Sequence, residues 1–314
     1  MDVVTLGEAM VLFVPDRIGL LRYAHTFSRY VAGAESNLAV GMARLGHHVG
    51  WISRVGDDEF GQYVQAFLRG ERVDVSGVKV DPDAPTGVFF KERRRSDSTR
   101  VYYYRKGSAA SMLTPDDLDA AYIAQARYLH LTGITPALSA ACKDTIMHAL
   151  HIATEAGVPV SFDPNLRQKL WDTEAARAAY LDILPHVSLV LTSEEEAALI
   201  TGTTKHTEAA RILLEMGPSV VVIKLGAKGA LGFTADEKVF APVMPVDTVE
   251  TVGAGDAFNA GFLSGQLRGW DLAASLKLGT ILGALATTVP GDVDGLPDWE
   301  EIQPYLGGDR TIER

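Results

Sequence analysis

A short glycine-rich segment near the C-terminal end of the chain carries residues that could bind and move a phosphoryl group. Residues 251–258 read TVGAGDAF, and the residues that follow have helical character. Gly253 and Gly255 let the backbone turn sharply and bring its N–H groups close to a ligand. The free N–H groups at a helix N-terminus attract phosphate. The segment therefore predicts an anion-binding helix start with one carboxylate, Asp256, in its first turn.

A carboxylate in the first turn of a helix can also serve only as a cap. The surrounding glycines favour a catalytic role for Asp256 instead. Other nucleotide motifs are missing from the sequence, which has no Gly-x4-Gly-Lys-Ser/Thr phosphate loop and no Gly-x-Gly-x-x-Gly fingerprint. It also has no His-Glu-x-x-His pair and no Gly-x-Ser-x-Gly elbow, so these zinc-hydrolase and esterase classes are not indicated.

A second group of residues points to an anionic substrate. Residues 91–106 contain seven basic side chains against two acidic ones, although the whole chain has a net charge of −11. Arg105 follows an aromatic strand, and its planar guanidinium can hold a carboxylate with two hydrogen bonds. Tyr103 could pack on sugar carbons, and Phe89 lies on the partner strand. Solvated hairpin residues and packing within this small sheet are the alternative interpretations.

These residues must be positioned by an alternation of strands and helices that continues along most of the chain. The predicted strands of the core are 3–6, 49–53, 128–131, 158–162, 187–191 and 220–224. The predicted helices are 34–45, one capped by Asp57 or Asp58, 140–156, 173–184, one from Glu194, 255–267 and 272–288. Strands separated by helices imply parallel β-α-β units, so the predicted fold class is α/β, a three-layer αβα Rossmann-like sandwich.

Two stretches interrupt this alternation. Residues 10–31 contain short strand-like pieces, and residues 86–104 contain two strands, 87–92 and 100–104, around a polar turn at 96–99. We expect them to form one small β-sheet, a lid over the strand ends where ligands of open α/β sheets bind. The whole chain, 1–314, is expected to be a single domain that includes this lid.

Composition narrows the function classes. The acidic net charge argues against general nucleic-acid or anionic-membrane binding. The one cysteine, Cys142, excludes an intrachain disulfide and a cysteine-based zinc cluster, and we expect it to be a small buried hydrophobe. No apolar stretch is long enough to span a membrane, and the N-terminus lacks the basic start of a signal peptide. We therefore expect a cytoplasmic protein.

Several motifs in order resemble the ribokinase-like (PfkB) carbohydrate kinases. Residues 253–258 (GAGDAF) are similar to the C-terminal signature of that family. Gly7-Glu8 and residues 33–37 (GAESN) resemble its sugar-binding N-terminal region, as do residues 54–61 (RVGDDEFG) and 163–167 (DPNLR). The resemblance covers about residues 3–305. It implies a ribokinase-like fold and a kinase that uses ATP and Mg²⁺.

Within that family, residues 100–111 (RVYYYRKGSAAS) are similar to the kinases of 2-keto-3-deoxygluconate. The reaction implied is transfer of a phosphoryl group from ATP to the primary 6-hydroxyl, giving the 6-phosphate and ADP. Two alternatives stay open at this point. One is a kinase of a neutral sugar such as fructose or ribose, and the other is a non-catalytic sugar or nucleotide sensor on the same fold.

The resemblance also implies a role for individual residues. Asp256 would be the general base, and the N–H groups of Gly253, Ala254 and Gly255 would form an anion hole. The implied substrate-binding residues are Gly33, Asn37, Phe89, Tyr103, Arg105, Arg167, Asp256 and Asp292. The implied ATP-binding residues are Asn165, Arg167, Ser193, Lys224, Gly226, Lys228, Gly229, Gly253, Gly255 and Thr280. Glu196 would organise Mg²⁺ through water.

The chain departs from the family pattern at three positions. Ser193 and Thr280 stand where the family usually has Asn. Glu250 stands where Asp is more common before the signature, so the presence of a monovalent-cation site of the ribokinase type is left open. The small substrates are the expected partners, together with a second copy of the chain, because pairing of two lids into a homo-oligomer would cover their open edges.

Overall fold

The secondary structure follows the predicted alternation, in a computed structural model that describes residues 1–95 and 98–307. In chain order the strands are β1 (Val3–Leu6), β2 (Met10–Pro15), β3 (Phe27–Ala32), β4 (Val49–Gly56), β5 (Val78–Asp81), β6 (Val88–Arg95), β7 (Ser98–Tyr104), β8 (Tyr128–Thr132), β9 (Val160–Asp163), β10 (Leu189–Ser193), β11 (Val220–Lys224), β12 (Ala230–Phe233) and β13 (Lys238–Ala241). The helices are α1 (Ala34–Arg44), α2 (Glu59–Gly70), α3 (Ala120–Ala124), α4 (Ala140–Ala156), α5 (Thr173–Ile183), α6 (Glu194–Thr201), α7 (His206–Glu215), α8 (Ala254–Leu267), α9 (Leu272–Ala286) and α10 (Trp299–Gly307).

The larger of two sheets has the strand order β13-β12-β11-β10-β9-β8-β1-β4-β5. All neighbours from β11 to β5 are parallel, whereas β12 and β13 are antiparallel. This confirms the predicted α/β class. The strands that sequence analysis did not predict, β5, β12 and β13, lie at the two ends of the sheet and are only four residues long.

Helices cover both faces of this sheet because successive strand residues point to opposite sides. Val3 belongs to one buried cluster, which contains residues of α1, α2, α8 and α9. Its neighbour Val4 belongs to a second cluster, which contains residues of α4 to α7. Cys142 is fully buried in the second cluster, as predicted. Two apolar layers around one sheet produce the predicted three-layer sandwich.

The second sheet is the small sheet that the sequence predicts. It has the strand order β3-β2-β6-β7 and joins the two stretches of sequence that interrupt the alternation of strands and helices. Met10 pairs with Ala32, and Phe89 pairs with Tyr103. We use "lid sheet" below for these four strands. The predicted turn at 96–99 falls partly outside the described residues.

Helix boundaries agree closely with the sequence patterns. The carboxylate of Asp58 accepts a hydrogen bond from the N–H of Gly61 at 2.7 Å and so caps α2. Gly46 follows the end of α1 with a φ of 87°, the left-handed conformation that favours glycine at this place. The helix predicted to reach residue 288 ends at Ala286. Among the described residues, none of the helices combines the length and apolar character needed to cross a bilayer.

Candidate active site

The predicted site residues meet at one edge of the large sheet. Asp163, Ser193 and Lys224 are the last residues of β9, β10 and β11. Parallel strands bring their carboxyl ends to the same edge, where ligands of open α/β sheets bind. The N-terminus of α8 reaches the same edge, because the position of a Cβ added to Gly255 lies 3.9 Å from the Nζ of Lys224.

The glycine-rich segment forms the turn that the sequence predicts. Gly253 has a φ of 79°, and α8 begins at the next residue, Ala254. A Cβ at Gly253 would lie 2.5 Å from the carbonyl oxygen of Asp292, so only glycine fits this turn. Within the described part of the chain, no side chain caps this helix. The N–H of Ala254 donates to the carbonyl oxygen of Thr251 at 3.4 Å, whereas those of Gly253 and Gly255 have no backbone acceptor among the described residues and are suited to an anionic ligand.

Asp256 is held in this first turn by a residue from the other end of the chain. Its side chain is buried, and its Oδ2 accepts a hydrogen bond from the Nδ2 of Asn37 at 2.8 Å. The Oδ1 of Asn37 accepts in turn from the N–H of Gly33 at 3.4 Å. Asn37 was expected to contact substrate oxygens, and its contact with Asp256 gives it a positioning role that sequence analysis missed.

The environment tunes Asp256 for proton transfer. Burial raises the pKa of its carboxyl to about 7, although the hydrogen bond from Asn37 and the charge of Arg167 oppose this rise. The nearby charge of Asp163 raises the pKa further, and that of Lys224 lowers it. A carboxylate with a pKa near neutrality takes up a proton more readily than an ordinary aspartate. Asp256 is therefore suited to act as a general base near neutral pH.

A buried polar network fixes the lysine at the end of β11. The Nζ of Lys224 donates to the Oδ2 of Asp163 at 2.8 Å and to the Oδ1 of Asn259 at 3.2 Å. The Nδ2 of Asn259 also donates to Asp163, at 2.6 Å. Asn259 is three residues after Asp256 on α8, and this helical spacing is the signal that could have identified it. The network directs the Lys224 ammonium toward the start of α8.

A first cleft of about 410 Å³ lies between the end of β11 and helices α8 and α9. It brings together five of the predicted ATP-binding residues, which are Lys224, Gly226, Gly229, Gly255 and Thr280. Its walls also include the apolar side chains of Val243, Pro245 and Phe258. The remaining predicted glycine and lysine, Gly253 and Lys228, do not line it. A cleft with apolar walls and a cation at one end suits a heterocycle that carries phosphate groups.

A second, larger cleft of about 1190 Å³ lies beside the lid sheet. It is lined by Tyr103 and Arg105 from the end of β7, and by Arg167, Ser193 and Glu196 from the core. Phe89 stacks on Tyr103 with a ring-centroid distance of 5.3 Å. Tyr103, Arg105 and Arg167 therefore line one cleft, whereas Phe89 supports it only through Tyr103. The other predicted substrate-binding residues do not line this cleft; they are Gly33, Asn37, Asp256 and Asp292.

Arg105 is anchored within this cleft. Its Nε donates to the Oε2 of Glu8 at 2.7 Å, and its Nη2 also contacts that carboxylate. The other oxygen of Glu8 accepts from the Oγ of Ser108 at 2.5 Å. Sequence analysis expected the guanidinium to face the cleft but did not predict its buried partner. Because Glu8 uses only part of the guanidinium, further N–H groups of Arg105 are available to a ligand.

Ser193 and Glu196 form a capping box at the start of α6. The Oγ of Ser193 accepts from the N–H of Glu196 at 3.2 Å, and the Oε2 of Glu196 accepts from the N–H of Ser193 at 2.9 Å. The Oε1 of Glu196 accepts from the N–H of Leu166 at 2.7 Å. Each carboxylate oxygen has further acceptor capacity, so Glu196 can also accept from a water on a metal ion.

Asn165, at a φ of 39°, donates its N–H to Asp163 at 3.1 Å.

Asp292 completes the polar groups around Asp256. Its side chain is buried, and its Oδ1 has no hydrogen-bond partner among the described residues. Burial raises the pKa of this carboxyl, while the charges of Lys91 and Arg167 and a hydrogen bond from Asn37 oppose the rise. Asn37 thus stands between the two carboxyls. An unsatisfied buried oxygen at this place is available to a substrate hydroxyl.

Comparison with known proteins gives a consistent result. Residues 1–299 match the model of the pfkB family carbohydrate kinases. The chain is 40% identical to the 2-dehydro-3-deoxygluconokinase of Bacillus subtilis, covering 100% of this chain and 98% of that protein. It is 39% identical to the 2-dehydro-3-deoxygluconokinase of Thermoproteus tenax, covering 97% and 94%. A protein from Escherichia coli solved with ATP and Mg²⁺ is 28% identical, with a TM-score of 0.91 over 97% of this chain and 98% of the other.

Proposed function

The chain belongs to the pfkB family of carbohydrate kinases, and we propose that it transfers a phosphoryl group from ATP to the 6-hydroxyl of 2-keto-3-deoxygluconate. The observation that carries the choice of substrate is the pair Arg105 and Arg167, which line one cleft together with Tyr103. A sugar acid offers a carboxylate to such a pair, whereas a neutral sugar does not. The names of the two relatives at 39–40% identity support the same substrate. The test is ADP release across sugar acids and neutral sugars.

Asp256 accepts the proton of the 6-hydroxyl as the oxygen attacks the γ-phosphorus of ATP. The new O–P bond forms while the bond from that phosphorus to the β–γ bridging oxygen breaks, and ADP leaves. The raised pKa of Asp256 and its hydrogen bond from Asn37 support this role. General-base catalysis of this kind contributes about 10²–10⁴ in rate.

The start of α8 stabilises the transferred group. The N–H groups of Gly253, Ala254 and Gly255 surround it as an anion hole, and the Lys224 ammonium lies beside them. When bound, Mg²⁺ neutralises charge on the ATP phosphates. Glu196 would hold that ion through water, because both of its oxygens already accept from backbone N–H groups. The adenosine lies in the cleft of about 410 Å³, against Thr280 and the apolar walls.

The sugar acid lies between the lid sheet and the core. Arg105 and Arg167 bind its carboxylate, and Tyr103, supported by Phe89, packs on its carbons. Asp292 accepts from a hydroxyl through its unpartnered oxygen. Gly33 offers its backbone to the sugar, and packing against Glu8 independently excludes a side chain there, since a Cβ would lie 2.2 Å from the carbonyl oxygen of Glu8. The lid closes over the bound substrate and excludes water.

We further propose that this kinase unit, spanning residues 1–314, works in the cytoplasm as a homo-oligomer assembled through the lid. β3 and β7 are the edges of the lid sheet, and Tyr102 and Tyr104 on β7 are 38% and 65% exposed. Open strand edges with exposed aromatic side chains favour pairing with a second copy. The single cysteine agrees with a reducing compartment.

At micromolar concentration, size-exclusion chromatography with light scattering is expected to give a mass of two or more chains. Tyr104→Glu places a charge on the exposed lid edge and is expected to give monomers. Phe240→Glu is the matched control, because Phe240 is 54% exposed on β13, an edge strand of the large sheet and not of the lid sheet. A monomeric wild type, or an equal loss of assembly in both variants, contradicts assembly through the lid.

A further inference from the structure

Lys91 is a buried cation whose side chain leaves the lid sheet and contacts a carboxylate of a neighbouring loop. It lies on β6, where it pairs with Val101 of β7, and its side chain is only 5% exposed. Its Nζ contacts the Oε1 of Glu250, whose side chain is 12% exposed. This ion pair therefore connects the lid sheet to the segment that immediately precedes the glycine-rich turn.

The carboxylate of Glu250 joins two loops beneath the anion hole. Its Oε2 accepts from the N–H of Gly291 at 3.3 Å. The next residue, Asp292, packs its carbonyl oxygen against Gly253, the residue before α8. Any shift of the Glu250 carboxylate would therefore move both loops that define the position of Gly253.

The positive charge of Lys91 holds the loops at Glu250 and Gly291 together. The charge of Asp292 also favours the charged form of Lys91, although burial lowers the pKa of its ammonium. The Glu250 carboxylate accepts a hydrogen bond from the N–H of Gly291, and Asp292 is the next residue of that loop. The two acidic residues are therefore neighbours in space. Removal of the cation would leave Glu250, beside the buried Asp292, with only the more distant and partly exposed guanidinium of Arg93 at 3.7 Å. Such an arrangement is strongly unfavourable and is relieved by movement.

We propose that Lys91 is a positioning residue for phosphoryl transfer, which couples the position of the lid sheet to the geometry of the anion hole at Gly253. The proposal rests on the function proposed above. Lys91 touches neither ATP nor sugar in this account, so it acts through Glu250 and the two loops. A misplacement of about 1 Å at a reacting centre costs on the order of a hundredfold in rate. Loss of Lys91 should therefore lower kcat more than substrate binding.

The test compares Lys91→Met with Arg93→Met, assayed with whichever sugar the wild type phosphorylates. Arg93 lies on the same strand and approaches the same carboxylate at 3.7 Å, but its side chain is 35% exposed. Lys91→Met is expected to lower kcat about ten- to a hundredfold, with the KM for ATP changed less than about threefold. Arg93→Met is expected to keep kcat within about twofold of the wild type.

A second measurement separates positioning from simple support of the fold. In Lys91→Ala, added ethylammonium is expected to restore part of the lost kcat, because it supplies a cation to Glu250 without restoring the side chain. If Lys91→Met does not fold, Glu250→Gln replaces it, with the same loss of kcat expected. In the double variant that carries both Lys91→Met and Glu250→Gln, the two losses of kcat should not add, since both substitutions break the same ion pair.

A kcat for Lys91→Met equal to that of the wild type overturns the proposal. Equal losses in the Lys91 and Arg93 variants, or no response of Lys91→Ala to the amine, also overturn it. Failure of the proposed function looks different, because the wild type itself would then release no ADP with sugar acids.

Discussion

Asp256→Asn is expected to lower kcat at least about a hundredfold while ATP still binds, because an amide cannot accept the proton of the sugar hydroxyl. Asn has nearly the same shape as Asp and can still accept the hydrogen bond that Asn37 donates at 2.8 Å. Fold and cleft should therefore persist. The measurements are kcat from a coupled ADP assay and ATP affinity from calorimetry.

The matched control for this substitution is Asp236→Asn, in the turn between β12 and β13, away from the start of α8. It removes one carboxylate charge without touching the site and should leave kcat unchanged. A near-normal kcat in Asp256→Asn would remove Asp256 from the role of base. The anion hole would then be the main contribution of residues 253–256 to catalysis.

Arg105→Ala is expected to lower kcat/KM for 2-keto-3-deoxygluconate roughly ten- to a hundredfold and to leave the turnover of fructose almost unchanged. A charge-assisted contact between guanidinium and carboxylate is worth about 1.5–3 kcal/mol, and a neutral sugar does not make it. Arg105→Lys should recover only part of the loss, because an ammonium keeps the charge but lacks the two-pronged geometry. Steady-state kinetics with both sugars measures the difference.

Arg94→Ala is the control for this comparison, since Arg94 is a cation of the neighbouring lid strand β6 with a side chain that is 44% exposed. It should alter neither sugar by more than about twofold. An equal loss for both sugars in Arg105→Ala would mean that Arg105, through its ion pair with Glu8, only supports the lid.

Local patterns in the sequence were sufficient for much of this architecture. The glycines around Asp256 predicted a helix start with an anion site, because glycine spacing and the first turn are determined by adjacent residues. The alternation of strands and helices predicted the layers, and two interruptions predicted the lid sheet. The short strands at the sheet ends, such as β12 with Gly232 in its middle, had too weak a pattern to be recognised.

The partners of the site residues could not be predicted in the same way. Asn37 is separated from Asp256 by 219 positions, and Glu8 from Arg105 by 97. Such pairs depend on which strand ends the fold brings together, and no local spacing encodes them. Lys91 was one of seven basic residues in a charged stretch, and only its burial against Glu250 distinguishes it from the exposed Arg94.

The preference for a sugar acid is tested by kcat/KM of the wild-type enzyme measured on a panel of sugars. The panel contains 2-keto-3-deoxygluconate, its galactonate epimer, fructose and ribose, with ADP release as the readout and phosphorus NMR to locate the phosphate. We expect a 6-phosphate and a kcat/KM for at least one sugar acid that exceeds those for fructose and ribose by about tenfold or more. A preference for fructose or ribose, or ATP binding without ADP release for any sugar, would contradict it.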